Sequence, residues 1–134
     1  MLLLDTHAIL WIDGGFPISD AANAAIESAR RSGGVLVSPV SAWEIGTLVR
    51  KGRLTLDTVP AAWFQRFLDQ PGVRLAPLTI EAAAGSASLP EPFHNDSADR
   101  LLVATARELG APLVTRDAAI LAYAAAGAVR AIPR

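Results

Sequence analysis

Met1-Leu2-Leu3-Leu4-Asp5 opens the chain with three leucines that stop abruptly at an aspartate. Successive side chains of a strand point to opposite faces, so an unbroken apolar triplet describes a strand buried on both sides. Val35–Val37, Val73–Leu78 and Pro112–Val114 share that character, and Val129–Ile132 reads as an edge strand. Between them Ser19–Arg31, Pro39–Lys51, Ala61–Leu68, Ile80–Ala87, Ser97–Leu109 and Ala118–Ala126 carry helical patterns. Gly33-Gly34, Gly52, Pro71-Gly72 and Gly110 follow helical runs, where helix ends favour glycine. Alternating strands and helices around doubly apolar strands predict an α/β fold. The expected form is a three-layer α/β/α sandwich on a mostly parallel sheet of four to five strands. At 134 residues a single domain spanning 1–134 is expected.

Ligands of open parallel sheets bind beyond the carboxyl ends of the strands. Asp5 follows the first strand directly, and Asp117 lies just past the fourth in Val114-Thr115-Arg116-Asp117. Each also precedes a helical pattern, so each reads equally as a helix cap or as a site residue. Glu44 is more informative. With Ser38 as cap and Pro39 at the first helical position, it falls in the second turn, in line with Val40 and Leu48. No basic residue lies within reach on its own helix, and an unpaired carboxylate against apolar side chains is costly unless something compensates it. A capping box from Ser41 to Glu44 is the alternative, if the helix begins three residues later.

Asp96 and Asp99 separate by similar logic. Asp96 has Arg100 four residues on as a surface partner and could cap the helix. Asp99 has Leu102 and Val103 at i+3 and i+4, which makes it the better ligand at a buried edge. His94 could be a ligand or a base, although a lone loop histidine is more often structural. Acids from distant segments converging on one edge repel one another, and protonation or cations must relieve that repulsion. Oxygen ligands without cysteine or a histidine cluster suit hard ions, Mg²⁺ or Mn²⁺. Such ions activate water and stabilise a leaving oxygen at a phosphodiester.

Composition excludes other chemistries. The chain has no cysteine, hence no disulfide, thiol catalysis or thiolate metal site. No apolar run approaches the ~20 residues of a membrane span, and the start lacks a basic leader, so a cytoplasmic protein without a membrane partner is expected. A net charge of −1 does not advertise nucleic acid; Arg30-Arg31 and Arg50-Lys51-Gly52-Arg53 are the candidate basic clusters, and they read first as solvated helix ends. Arg116 and Arg100 are candidate phosphate contacts near the cleft. A phosphoryl-transfer receiver fails on residues: Asp5 has no acidic neighbour, Arg74–Leu78 holds no aspartate, and Lys51 is the sole lysine. A haloacid-dehalogenase pattern fails at His7, where a second aspartate is required.

Leu3-Leu4-Asp5-Thr6-His7-Ala8, Ser41-Ala42-Trp43-Glu44-Ile45, Asp99-Arg100-Leu101-Leu102-Val103-Ala104-Thr105-Ala106 and Leu113-Val114-Thr115-Arg116-Asp117 together resemble the motifs of PIN-domain ribonucleases. The likeness is greatest to VapC-type toxins of toxin–antitoxin pairs and runs, in order and spacing, from residue 3 to residue 117. It implies a PIN-like sandwich, Mg²⁺- or Mn²⁺-dependent endonucleolytic cleavage of RNA, a homodimer, and neutralisation by a small cognate antitoxin. The family's acids map onto Asp5, Glu44, Asp99 and Asp117, which are thereby implied as catalytic and metal-binding residues, with Thr6, Asp96 and Thr115 in support. One departure is Asp96-Ser97-Ala98-Asp99, where close relatives often carry Pro-Phe between the two aspartates. A non-catalytic RNA- or protein-binding module, its acids serving as caps, is the competing class. The aromatic group Trp63, Phe64 and Phe67 reads either as core or as a docking surface.

Overall fold

The computed structural model describes residues 1–134. Strand β1 (Leu2–Leu4) leads into helix α1 (Thr6–Asp13), followed by α2 (Asp20–Arg31), β2 (Val35–Val37) and α3 (Pro39–Arg50). The second half runs α4 (Pro60–Leu68), β3 (Val73–Leu75), α5 (Ile80–Gly85), α6 (Ser97–Leu109), β4 (Leu113–Thr115), α7 (Ala118–Ala125) and β5 (Ala131–Pro133), with a short 3-10 turn at Ser86–Ser88. All five strands are parallel in the order β3-β2-β1-β4-β5, with Leu3 paired to both Leu36 and Leu113.

The pleat of the central strands divides the core. Leu2, Leu4, Val35, Val37 and Val114 meet Ile9 of α1, Ile26 of α2 and Trp63, Phe64 and Phe67 of α4 on one face. Leu3, Leu36 and Leu113 meet Ala82 of α5, Leu102 and Val103 of α6, and Ile120 and Tyr123 of α7 on the other. The three aromatic side chains of α4 are therefore core. Helix α3 serves both layers, sending Val40 to one and Ile45 to the other. No helix is long and apolar enough to cross a membrane.

Several boundaries depart from expectation for local reasons. β3 ends at Leu75 rather than Leu78: Ala76 still donates to Val37 O at 2.8 Å, but Pro77 has no N–H to extend the ladder. β5 begins later than expected and ends on Pro133, which an edge strand tolerates. The predicted Ile80–Ala87 helix closes at Gly85 and continues as the 3-10 turn. Thr6–Asp13, set off by the Asp5 cap, is a helix of its own. Gly110 adopts φ 63° at the end of α6, the left-handed cap that glycine enters without a Cβ clash.

Sheet order fixes where a site forms. The chain leaves β1 toward β2 on one side and returns to β4 on the other, so the crevice beyond β1 and β4 is the topological switch point. Asp5 and Asp117 flank it.

Candidate functional site

Asp5 leaves β1 and caps α1, accepting the Ala8 N–H at 2.7 Å. Asp117 does the same for α7 through Ile120 N–H at 2.9 Å, and Asp96 for α6 through Asp99 N–H at 2.9 Å. Capping and site geometry thus coexist, because a capping oxygen occupies one lone pair and leaves the second oxygen free. Glu44 and Asp99 cap nothing. Helix α3 begins at Pro39 with Ser38 accepting Val40 N–H, so no capping box runs from Ser41 to Glu44.

Glu44 finds its partner on another element. The Thr6 hydroxyl donates to Glu44 Oε1 and stands 2.9 Å from the buried Ser41 Oγ. One hydroxyl proton serves one acceptor, so the Ser41 hydroxyl supplies the proton of the second contact. Thr115 is fully buried: its Oγ1 accepts the Asp117 N–H at 3.0 Å, and its side chain hydrogen-bonds Asp5. Thr6 and Thr115 therefore hold the acids in place.

The carboxylates feel one another. Burial raises the pKa of Asp5, opposed by the Thr115 and Ala8 hydrogen bonds. Burial also raises Glu44, opposed by Thr6 and reinforced by Asp96 and Asp5. Asp99 is pushed up to about 7, first by burial and then by repulsion from Asp96, Asp117, Glu44 and Asp5. Its position in the first turn of α6 favours a negative charge, yet burial and four like charges outweigh that benefit. Asp5 forms the floor at 7% exposure, Glu44 and Asp99 are half-buried walls, and Asp117 is the exposed rim.

His94, which the sequence offers as a possible ligand or base, belongs to this cluster. Its Nε2 lies 3.3 Å from Asp99 Oδ2 and 4.0 Å from Asp117 Oδ1. Phe93 stacks on Tyr123 with ring centroids 4.4 Å apart, and Tyr123 donates to Pro90 O at 2.5 Å. Arg100 donates to the carbonyls of Ser86, Phe93 and His94. Arg100 thus clamps the loop through Nε and Nη1, and it makes no ion pair with Asp96. Arg116 is exposed, its guanidinium 5.8 Å from the Trp11 ring.

Carboxylate oxygens are a donor set that fits a hard divalent cation. Ligand atoms of His94, Asp99 and Asp117 all lie within 4.8 Å of one another. Asp5, Glu44, Asp99 and Asp117 could hold such an ion, and an ion would relieve the repulsion that raises Asp99.

A parallel α/β/α sandwich with an acid cluster at its switch point is the class that fold and site define. The family follows: residues 2–126 match the PIN domain model, and the chain belongs to the PIN-domain family. It is 36% identical over 117 residues to Ribonuclease VapC22 of Mycobacterium tuberculosis, covering 87% of this chain and 86% of that protein. Its fold is similar to the crystal structure of VapBC2 from Rickettsia felis bound to a promoter DNA fragment. There the TM-score is 0.70 at 14% identity, covering 98% of this chain and 97% of that one. It is likewise similar to FitAcB from Neisseria gonorrhoeae, with a TM-score of 0.63 at 22% identity, covering 98% and 96%.

Proposed function

We propose that this chain, acting as one nuclease domain over residues 1–134, is a metal-dependent endoribonuclease and the toxin of a toxin–antitoxin pair. The observation that carries the reading is the meeting of acids from separate segments beyond β1 and β4: ligand atoms of Asp99, Asp117 and His94 lie within 4.8 Å of one another, and Glu44 and Asp5 are near enough to add their charge at Asp99. The 36% identity to a ribonuclease supports the reaction class. Solved complexes of the same fold support a small antitoxin as partner.

Asp5 and Asp99 would be the central residues holding Mg²⁺ or Mn²⁺, with Glu44 and Asp117 completing the pocket. A bound divalent ion supplies an activated water near neutral pH and stabilises charge on the leaving oxygen of the phosphodiester. The protein's own part is positional. Thr115 fixes Asp5, Thr6 fixes Glu44, and the Arg100 clamp sets His94 against Asp99. A homodimer in the cytoplasm belongs to the same reading.

The test is cleavage of total RNA by purified protein in Mg²⁺, Mn²⁺ or EDTA, with the cut ends mapped. Cleavage that EDTA stops and Asp5→Asn abolishes supports the reading. The caps made by Asp5, Asp96 and Asp117 favour the rival, a binding module with structural acids. Protein that binds RNA in Mn²⁺ without ever cutting it would decide for that rival.

A further inference from the structure

Beside the acid cluster, a groove of about 380 Å³ opens between α3 and the start of α6. Glu44, Asp96 and Ser97 line it, so it shares Glu44 with the proposed active site. Trp43, Lys51 and Arg53 line it as well. Trp43 is 59% exposed, although a large apolar ring gains by burial. The other tryptophans are committed: Trp63 is core, and Trp11 packs against Phe16 at 4.7 Å and under the Arg134 guanidinium at 4.3 Å. Lys51 and Arg53 make no ion pair, although Glu44 and Asp96 line the same groove. An unpartnered aromatic plate and two uncommitted cations therefore share one groove with Glu44 and Asp96.

We propose that this groove seats the single-stranded RNA flanking the scissile phosphate, one base stacking on Trp43 and the backbone pairing with Lys51 and Arg53. The inference deepens the nuclease reading and rests on it. Chemistry selects the occupant. Stacking on an indole suits any base, and cations that pair with no carboxylate suit phosphate. Lys51 follows Trp43 by eight residues, about 12 Å along the helix axis, so plate and cation sit apart along the channel. An apolar ligand would leave the cations idle, and an acidic solute would leave the ring idle. This arrangement also answers the net charge of −1: two positive groups concentrated beside the acids suffice for a short strand.

The experiment uses the full chain carrying Asp5→Asn, which keeps RNA intact, and a short labelled single-stranded oligoribonucleotide of mixed sequence. Fluorescence anisotropy over a series of salt concentrations gives affinity and its salt slope. Trp43→Ala should weaken binding roughly tenfold or more, and Trp43→Phe should recover most of it. Replacing both Lys51 and Arg53 with Gln should flatten the log–log salt slope by about 1.4, the share of two phosphate contacts on a single strand. In the uncrippled protein Trp43→Ala should raise KM far more than it lowers kcat.

Unchanged affinity in Trp43→Ala together with an unchanged slope in the double variant overturns the proposal. So does a change in sedimenting mass on Trp43→Ala without loss of RNA affinity, which would make the face a protein interface. If Trp43→Ala fails to fold, the double Gln variant, altered only at exposed residues, decides through its slope. Wild-type cleavage with indifferent groove variants sinks the groove and spares the nuclease. Groove-dependent binding without any cleavage sinks the nuclease and spares the groove as an RNA-binding surface.

Discussion

The His94 ring stands against Asp99: Nδ1 accepts the Asp96 N–H at 3.1 Å, so in its neutral form the ring carries its proton on Nε2, which lies 3.3 Å from Asp99 Oδ2. A protonated ring nitrogen has no lone pair for a metal. His94 is therefore a positioning residue for Asp99. His94→Ala should weaken Mn²⁺ binding and cleavage about tenfold, and His94→Gln, which keeps an N–H donor, should restore much of both. Calorimetric titration with Mn²⁺ reads this directly. Equal damage from both substitutions would make the ring a ligand instead.

Stability should depend on pH in a direction set by Asp99. Its folded pKa, about 7, lies above the ordinary 3.8, so between about pH 4 and pH 7 the folded protein holds a proton that the unfolded chain has released. Metal-free protein therefore loses stability as pH rises through that window and levels off above it. The loss is about 1–2 kcal/mol once screening of this part-exposed group is allowed for. Asp5 and Glu44, also raised, act with the same sign. Mn²⁺ should reverse the trend, because its affinity climbs as the proton leaves. Urea midpoints at pH 5 and pH 8, in EDTA and in MnCl2, test this, and Asp99→Asn should flatten the EDTA curve.

Asp5 combines two duties that two substitutions separate. Asp5→Asn keeps an oxygen to accept the Ala8 N–H and should lose metal-dependent cleavage with its melting temperature little changed. Asp5→Ala loses the cap as well and should cost a further ~1 kcal/mol in chemical denaturation. Retained cleavage in Asp5→Asn would remove Asp5 from the chemistry.

Thr6 links the start of α1 to α3 through Glu44 and Ser41. Thr6→Val keeps the volume and strips the donor, so a buried hydroxyl and a half-buried carboxylate lose a partner, at about 1–3 kcal/mol. Cleavage should fall as Glu44 loosens. Thr6→Ser, which keeps the hydroxyl, should recover most of the rate, and a Ser variant as slow as Val would limit Thr6 to packing.

Much of this was legible before any coordinates. Leu2–Leu4 announces a two-faced strand because no polar side chain could be left out of the core. Glu44 stands out because no cation on its own helix can answer it. The reading stopped where contacts join distant segments. Arg100 looked free to pair with Asp96, but it turns Nε and Nη1 to the carbonyls of Ser86, Phe93 and His94. His94 looked like an ordinary loop residue until Arg100 and Phe93 turned it toward Asp99. The hydroxyl that answers Glu44 lies 38 residues away.

By itself the sequence determined which faces are apolar, which segments are helix or strand, and that acids follow β1 and β4, since periodicity and capping act over a few residues. Tertiary structure alone decided that β1 lies between β2 and β4, that four carboxylates share one field, and that Asp99 holds its proton near neutrality. Repulsion and desolvation depend on distances through space, and those exist only once the sheet has brought remote stretches together.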